Sequence, residues 1–168
     1  MNNIIGCVLV LVLLAGCQSK QNENAQDSSG APTMEQRKQI ARKLTEQSLV
    51  LLGKQDYKAA LTALDTAIKF DPMDEAPYMI LGQLLIKSGE SARAVEFLDN
   101  ASKAFPDNGM LFYMLAVANK MENKKLPTVL AARRSFELFK NVKDEENAKN
   151  AAVLLQQGIE MPDAPAAK

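Results

Sequence analysis

Tyr78-Met79-Ile80-Leu81-Gly82-Gln83-Leu84-Leu85 opens the stretch that decides the fold, and Gly89, Ala94-x3-Leu98, Ala101 and Pro106 complete it. Apolar positions at spacings of three and four on either side of Gly89 read as two helices joined by a tight turn, and Pro106 ends the second. Pro72 precedes Pro106 by 34 residues (106 − 72 = 34) and closes a weaker copy containing Leu44, Leu51, Tyr57, Ala60, Leu64 and Ala67. A helical hairpin recurring at a fixed period predicts a solenoid, in which each unit buries its apolar face against the next.

The series resembles the W-x2-L-G-x2-Y, A-x3-F, P pattern of tetratricopeptide (TPR) repeats, over roughly residues 34–160. The resemblance implies an all-α helical-hairpin solenoid of about three repeats, residues 41–74, 75–108 and 109–143, with a C-terminal capping helix over 144–160, so that the domain runs from 33 to 160. The first helix starts at Thr33-Met34-Glu35-Gln36, which has the form of a capping box, and continues to about Leu52. Gly53 to Asp56 make the turn, and a second helix spans Tyr57 to Phe70. In repeat one Gln47 and Ser48 replace the usual Leu-Gly pair. In repeat two Gly82 sits where the helix crossing leaves no room for a Cβ, and Gly89 supplies the turn. Repeat three begins with Phe112, Leu115 and Ala116, then loses register at Asn123-Lys124-Lys125-Leu126-Pro127. Four inserted residues there, read as a longer loop, bring Ala132-x3-Phe136 into the Ala-x3-Phe place, with Pro127 in the first turn of the resumed helix. Asp144-Glu145-Glu146 begins the last helix with charge that suits its dipole, and Ala148, Ala151, Ala152, Leu155 and Ile159 form its stripe. Residues 161–168 read as a disordered tail.

Ile4 to Leu14 is an apolar run too short to cross a bilayer as a mature helix, and it ends at Leu14-Ala15-Gly16-Cys17. An ordinary secretory signal or an N-terminal membrane helix would also account for the run, and Met1-Asn2-Asn3 lacks the usual Lys or Arg. The tetrapeptide resembles the lipobox of bacterial lipoproteins. That resemblance implies a signal peptide over 1–16, cleavage before Cys17, and acylation of its thiol with chains such as palmitate. Two or three acyl chains make a durable anchor. Gln18, where an Asp would favour the inner membrane, implies an outer-membrane protein facing the periplasm. Residues 17–32 are polar, without periodic apolar positions, and read as a flexible tether.

Composition bounds the chemistry. The 20 Lys and Arg balance the 20 Asp and Glu, so no bulk field draws the chain to nucleic acid or anionic lipid. Arg37, Lys38, Arg42 and Lys43, and likewise Arg133-Arg134, read as solvated helix faces. There is no His, and the two Cys are assigned to the leader (Cys7) and the lipid (Cys17). No Gly-rich phosphate loop, nucleophile elbow or metal-ligand spacing appears. The sequence therefore predicts a non-enzyme with no cofactor and no metal.

In TPR families the ligand lies in a concave groove lined by the first helix of each repeat. Carried onto this chain, those positions are Arg42, Thr45, Glu46, Leu49, Leu52 and Gly53; Ala76, Met79, Ile80, Gln83, Ile86 and Lys87; and Met110, Tyr113, Met114, Val117, Lys120 and Met121. The Lys, Arg and Asn carboxylate clamp of chaperone-binding TPR domains is missing, and the groove is apolar and Met-rich. It suits an apolar helix or strand from an envelope protein, unless the chain's own ends or a second protomer, in a homodimer, fill it. The layout is similar to the TPR lipoproteins that pilot type IV pilus secretins. That likeness implies an anchored adaptor that assembles or localises an envelope partner, as in pilus or secretion machinery; docking of peptidoglycan enzymes and carriage of apolar cargo are the alternatives.

Overall fold

A computed structural model describes residues 30–162. The expected leader, Cys17, residues 17–29 of the tether and residues 163–168 of the tail lie outside them. Among the described residues seven helices follow one another: α1 (Met34–Gly53), α2 (Tyr57–Phe70), α3 (Glu75–Lys87), α4 (Ser91–Ala104), α5 (Gly109–Met121), α6 (Lys125–Asn141) and α7 (Glu145–Glu160). There is no strand among the described residues, and none of their helices is long and apolar enough to cross a membrane.

The starts are written in side chains. Thr33 Oγ1 accepts from the Gln36 N–H at 3.3 Å while Gln36 Oε1 accepts from the Thr33 N–H at 2.8 Å, so the capping box closes and α1 begins. Asp56, Asp74, Asn108 and Asp144 each accept from a first-turn N–H of α2, α3, α5 and α7.

The turns come in two kinds. After α1, α3, α5 and α6 one residue is left-handed: Gln55 (φ 62°), Gly89 (φ 78°), Asn123 (φ 54°) and Lys143 (φ 60°). The next N–H then reaches back to Leu51, Leu85, Asn119 and Phe139 respectively, satisfying carbonyls that the helix end leaves free. Gly53, expected in the first of these turns, is instead the last residue of α1, and the left-handed place goes to Gln55. After α2 and α4 the chain turns through Asp71-Pro72-Met73-Asp74 and Phe105-Pro106-Asp107-Asn108, where Pro cannot continue the helix.

Repeat three corrects the sequence reading. From α3 to α5 the starts lie 34 residues apart (109 − 75 = 34), and so do the starts of α4 and α6 (125 − 91 = 34), so nothing is inserted between α5 and α6. The buried trio Ala94, Leu98 and Ala101 maps onto Thr128, Ala132 and Ser135, all at most 1% exposed. The shift arises because two of those places are polar: Thr128 Oγ1 donates to the Lys124 carbonyl at 2.8 Å and Ser135 Oγ to the Gly109 carbonyl at 2.9 Å, which satisfies both hydroxyls inside the core. Ala132-x3-Phe136 mimicked the motif one turn late. The true change of register follows, where α6 runs on to Asn141 before meeting α7. Pro127 is the third residue of α6, where no carbonyl needs its N–H.

The main core runs from Leu64 through Leu81, Leu85, Leu98, Leu111 and Leu115 to Leu154, and a smaller one gathers Phe139, Ala148 and Ala151. A Cβ on Gly82 would stand 2.5 Å from Leu98 Cδ2, so α3 and α4 cross with no side chain between them. Ser48 and Ala116, both 0% exposed, hold the same place in the neighbouring repeats. Tyr78 stacks on Phe97 at 5.8 Å and meets Phe105 edge-on at 5.1 Å. Its burial, and next the charge of Asp71, raise the phenol's pKa.

Two arginines are not the solvated residues that the sequence predicts. Arg37 donates to the Phe70 and Lys69 carbonyls at 3.2 and 3.0 Å and lies over the Phe70 ring, fastening α1 to the end of α2. Arg134 donates to the Pro106 carbonyl at 3.0 Å and lies over Phe112, fastening α6 to the α4–α5 turn.

The ends of the stack differ from its middle. Pro77, Leu81 and Leu84 of α3, like Leu111, Leu115 and Ala118 of α5, are buried beneath the preceding helix. On α1 the same face carries Lys43, Gln47 and Val50, all exposed, as the first unit of a solenoid requires. At the other end α7 buries Ala148, Ala151, Leu154 and Gly158, so the stripe lies one step round from the expected one and Ile159 is 51% exposed. Gly158 sets that rotation, since a Cβ there would come 3.0 Å from Thr128 Cγ2.

Candidate functional site: the wall of odd-numbered helices

Helix α3 touches α5, and α5 touches α7, whereas no comparable contact joins α2, α4 and α6. The odd-numbered helices are therefore the crowded inner layer and the even-numbered ones the outer layer. Helix α1 is not in comparable contact with α3, so the wall is continuous from α3 to α7 and α1 stands beside it. Polar links tie the wall together. Asn108 Nδ2 donates to the Glu75 carboxylate and approaches the Met79 sulfur at 3.8 Å, joining α3 to α5. Lys120 Nζ donates to Gln157 Oε1 at 2.6 Å, joining α5 to α7.

The residues expected in the groove take three kinds of place. Leu49 and Met121 are open, 53% and 43% exposed, with Arg42, Glu46, Gly53, Gln83 and Lys87 also on the surface. Leu52, Ala76, Met79, Ile80, Ile86, Met110, Tyr113, Val117 and Lys120 are half-buried. Met79, Ile80, Ile86 and Val117 rest on the main core, while Met110 and Tyr113 also pack on the Phe139, Ala148 and Ala151 cluster that α7 helps to form. Thr45 is buried and donates to the Ala41 carbonyl at 2.9 Å. Met114 is a correction: at 7% exposed it is a core residue, because it sits among the buried residues that α5 shares with its neighbours.

One residue of this face was missed. Gln83, Val117 and Val153 each follow their N-caps Asp74, Asn108 and Asp144 by nine positions (83 − 74 = 117 − 108 = 153 − 144 = 9). Val153 is 51% exposed. Read only as a cap, α7 hid it; the Asp144 cap was the signal that gives the register.

The arrangement offers contact area rather than reactive groups. Among the described residues no three His, Cys, Asp or Glu are gathered as a metal site. Cys17 lies outside the described residues.

Residues 51–117 match the family model described as Tetratricopeptide repeat. Among solved structures, the TPR2B domain of yeast Sti1, solved as a complex with pHsp70, superposes with a TM-score of 0.67 at 16% identity, over 74% of this chain and 99% of that one. The fold is a tetratricopeptide-repeat fold. The N-terminal domain of stress-induced protein-1 from C. elegans gives a TM-score of 0.61 at 18% identity over 74% of this chain and 98% of that one. MamA from Desulfovibrio magneticus RS-1, residue 41 to its end, gives 0.53 at 21% identity over 76% of this chain and 78% of that one. None of the curated proteins matches the sequence. The TPR match ends at residue 117, just before the helix in which Thr128, Ala132 and Ser135 replace the usual small and large apolar residues.

Proposed function

We propose that this chain is a lipid-anchored TPR adaptor that holds a segment of an envelope protein against its odd-numbered helices. The observation that carries the reading is the chemistry of that wall: Leu49, Val153 and Met121 are exposed and Met79, Ile80, Tyr113 and Val117 are half-buried, with Arg42, Glu46, Lys87 and Lys149 as the exposed charges of the same face. An apolar surface of this kind binds through a few side chains that lose water completely. The Sti1 domain with a similar fold is solved as a complex with pHsp70, which favours a protein as the class of ligand. The lipobox at Leu14 to Cys17 supports the anchor, and Gln18 supports the outer membrane. On this reading the chain assembles or localises its partner and carries out no reaction itself.

A photo-crosslinking amino acid placed at Leu49 or Val153 in the anchored protein should capture one and the same envelope protein. Placed at Arg133 on an outer helix it should not. Capture from Arg133 alone would overturn the proposal.

A further inference from the structure

The outer face has a valley in each repeat, and the three compare residue by residue: in repeat one Ala63 stands at the place of Phe97, and 560 Å³ is open beside Leu44, Leu51, Asp56, Lys58 and Thr62. Between α2, α3 and α4 the valley is filled by Phe97, stacked on Tyr78 at 5.8 Å, and rimmed by Arg93 and Glu96; 280 Å³ stays open. Thirty-four residues later Phe112 stands for Tyr78, but Ala131 stands for Phe97, Pro127 for Arg93 and Leu130 for Glu96. The valley between α4, α5 and α6 is accordingly 480 Å³, larger by 200 Å³ than that of repeat two (480 − 280) though smaller than that of repeat one, and its rim is apolar at Pro127 and Leu130, the latter 55% exposed. Repeats one and three both leave room for an aromatic ring, but repeat one presents Thr62 where repeat three presents Leu130, and Lys58 already lines it, so the valley of repeat three is the apolar receptor. Among the described residues Glu96, which overlooks this valley from α4, has no hydrogen bond or ion pair from its side chain, whereas Asp99 and Lys103 beside it pair with each other.

The complement is on the same chain. Tyr57 is 54% exposed and is the one exposed aromatic residue among those described. Lys58, next to it, is exposed and forms no ion pair. Both lie at the start of α2, in the repeat farthest from the valley.

We propose that two copies of this chain associate head to tail, Tyr57 of one entering the Phe112, Leu130 and Ala131 valley of the next while its Lys58 meets Glu96. The ring takes the part that Phe97 plays in repeat two, and the cation meets the one acid on the rim without a partner. A desolvated aromatic anchor supplies affinity, and an exposed ion pair mainly fixes orientation. The two surfaces differ, so the contact is heterologous and leaves a free Tyr57 and a free valley at the ends of each assembly. It involves the outer layer and is independent of the inner wall.

The test is analytical ultracentrifugation of the full-length chain in density-matched detergent. The wild type should gain mass as its concentration rises towards about 1 mM. Tyr57→Ala and Ala131→Phe should each stay monomeric, the second because its own ring closes the valley. An equimolar mixture of the two variants should form a one-to-one pair and nothing larger, since only one productive junction remains. If Ala131→Phe misfolds, Leu130→Glu, which restores the charge found in repeat two, takes its place at an exposed position. Lys58→Glu should weaken association about two- to five-fold, and Glu96→Lys in its partner should restore it. A wild type that stays monomeric, a variant that associates like the wild type, or a mixture that fails to pair would overturn the proposal.

Discussion

Gly82 and Leu98 share one crossing point, and the repeats solve it differently. Repeat two sets Gly against Leu, while repeat three has Ala116 and Ala132 at the corresponding places, each 0% exposed. Gly82→Leu should overpack the crossing and cost about 1–3 kcal/mol in chemical denaturation. Gly82→Ala should also destabilise, though less, since Leu98 Cδ2 is the mobile end of its side chain. In a Leu98→Ala background the same Gly82→Ala change should become neutral or stabilising, because the obstacle is gone and Ala favours a helix by up to about 1 kcal/mol over Gly. Equal effects of Gly82→Ala in both backgrounds would mean that the two residues do not meet. At Arg37 the lesson is similar: its two carbonyl bonds close the end of α2, and Arg37→Met should cost about 1 kcal/mol.

Helix starts carry much of the order between these residues. Asn108 accepts from the N–H groups of Met110 and Leu111 at 3.0 and 3.1 Å, so Asn108→Ala should cost about 1 kcal/mol and loosen α5 in hydrogen exchange. Asp144 holds α7 by a pH-dependent cap. The side-chain amide of Asn147 and then its backbone N–H keep the Asp144 carboxyl below its ordinary value of 3.8. A lowered folded pKa means that the cap contributes above that ordinary value and is lost as pH falls through the lower one. Amide exchange in α7 should accelerate in that acid window, and Asp144→Asn should remove the dependence. These caps also explain what was legible in the sequence. Thr33 and the Pro-closed turns announce their helices through local hydrogen bonds, while repeat three misled because Thr128 and Ser135 look like loop residues until the carbonyls that accept from them are in view. Which arginines turn inward depends on distant carbonyls and leaves no local trace.

For the whole molecule, the inner wall was partly readable, because repeat offsets transfer from one helix to the next. Offsets do not tell depth: Met114 and Leu49 hold groove positions alike, yet one is in the core and the other open, because neighbouring helices cover α5 from both sides and α1 from one. Under the proposed function, Ile80→Asp and Tyr113→Ala should each weaken partner binding by about 2 kcal/mol or more in variants that circular dichroism shows to be folded. Normal binding by both would exclude the wall. The contacts within the inner wall have one more consequence, since α3, α5 and α7 form its continuous part. With neighbours about 8–10 Å apart, these three helices offer a track of roughly 16–20 Å, the span of about five or six residues of extended chain. Under the proposed function this track is a ruler: ligands trimmed below that length should lose affinity step by step, and longer ones should gain nothing.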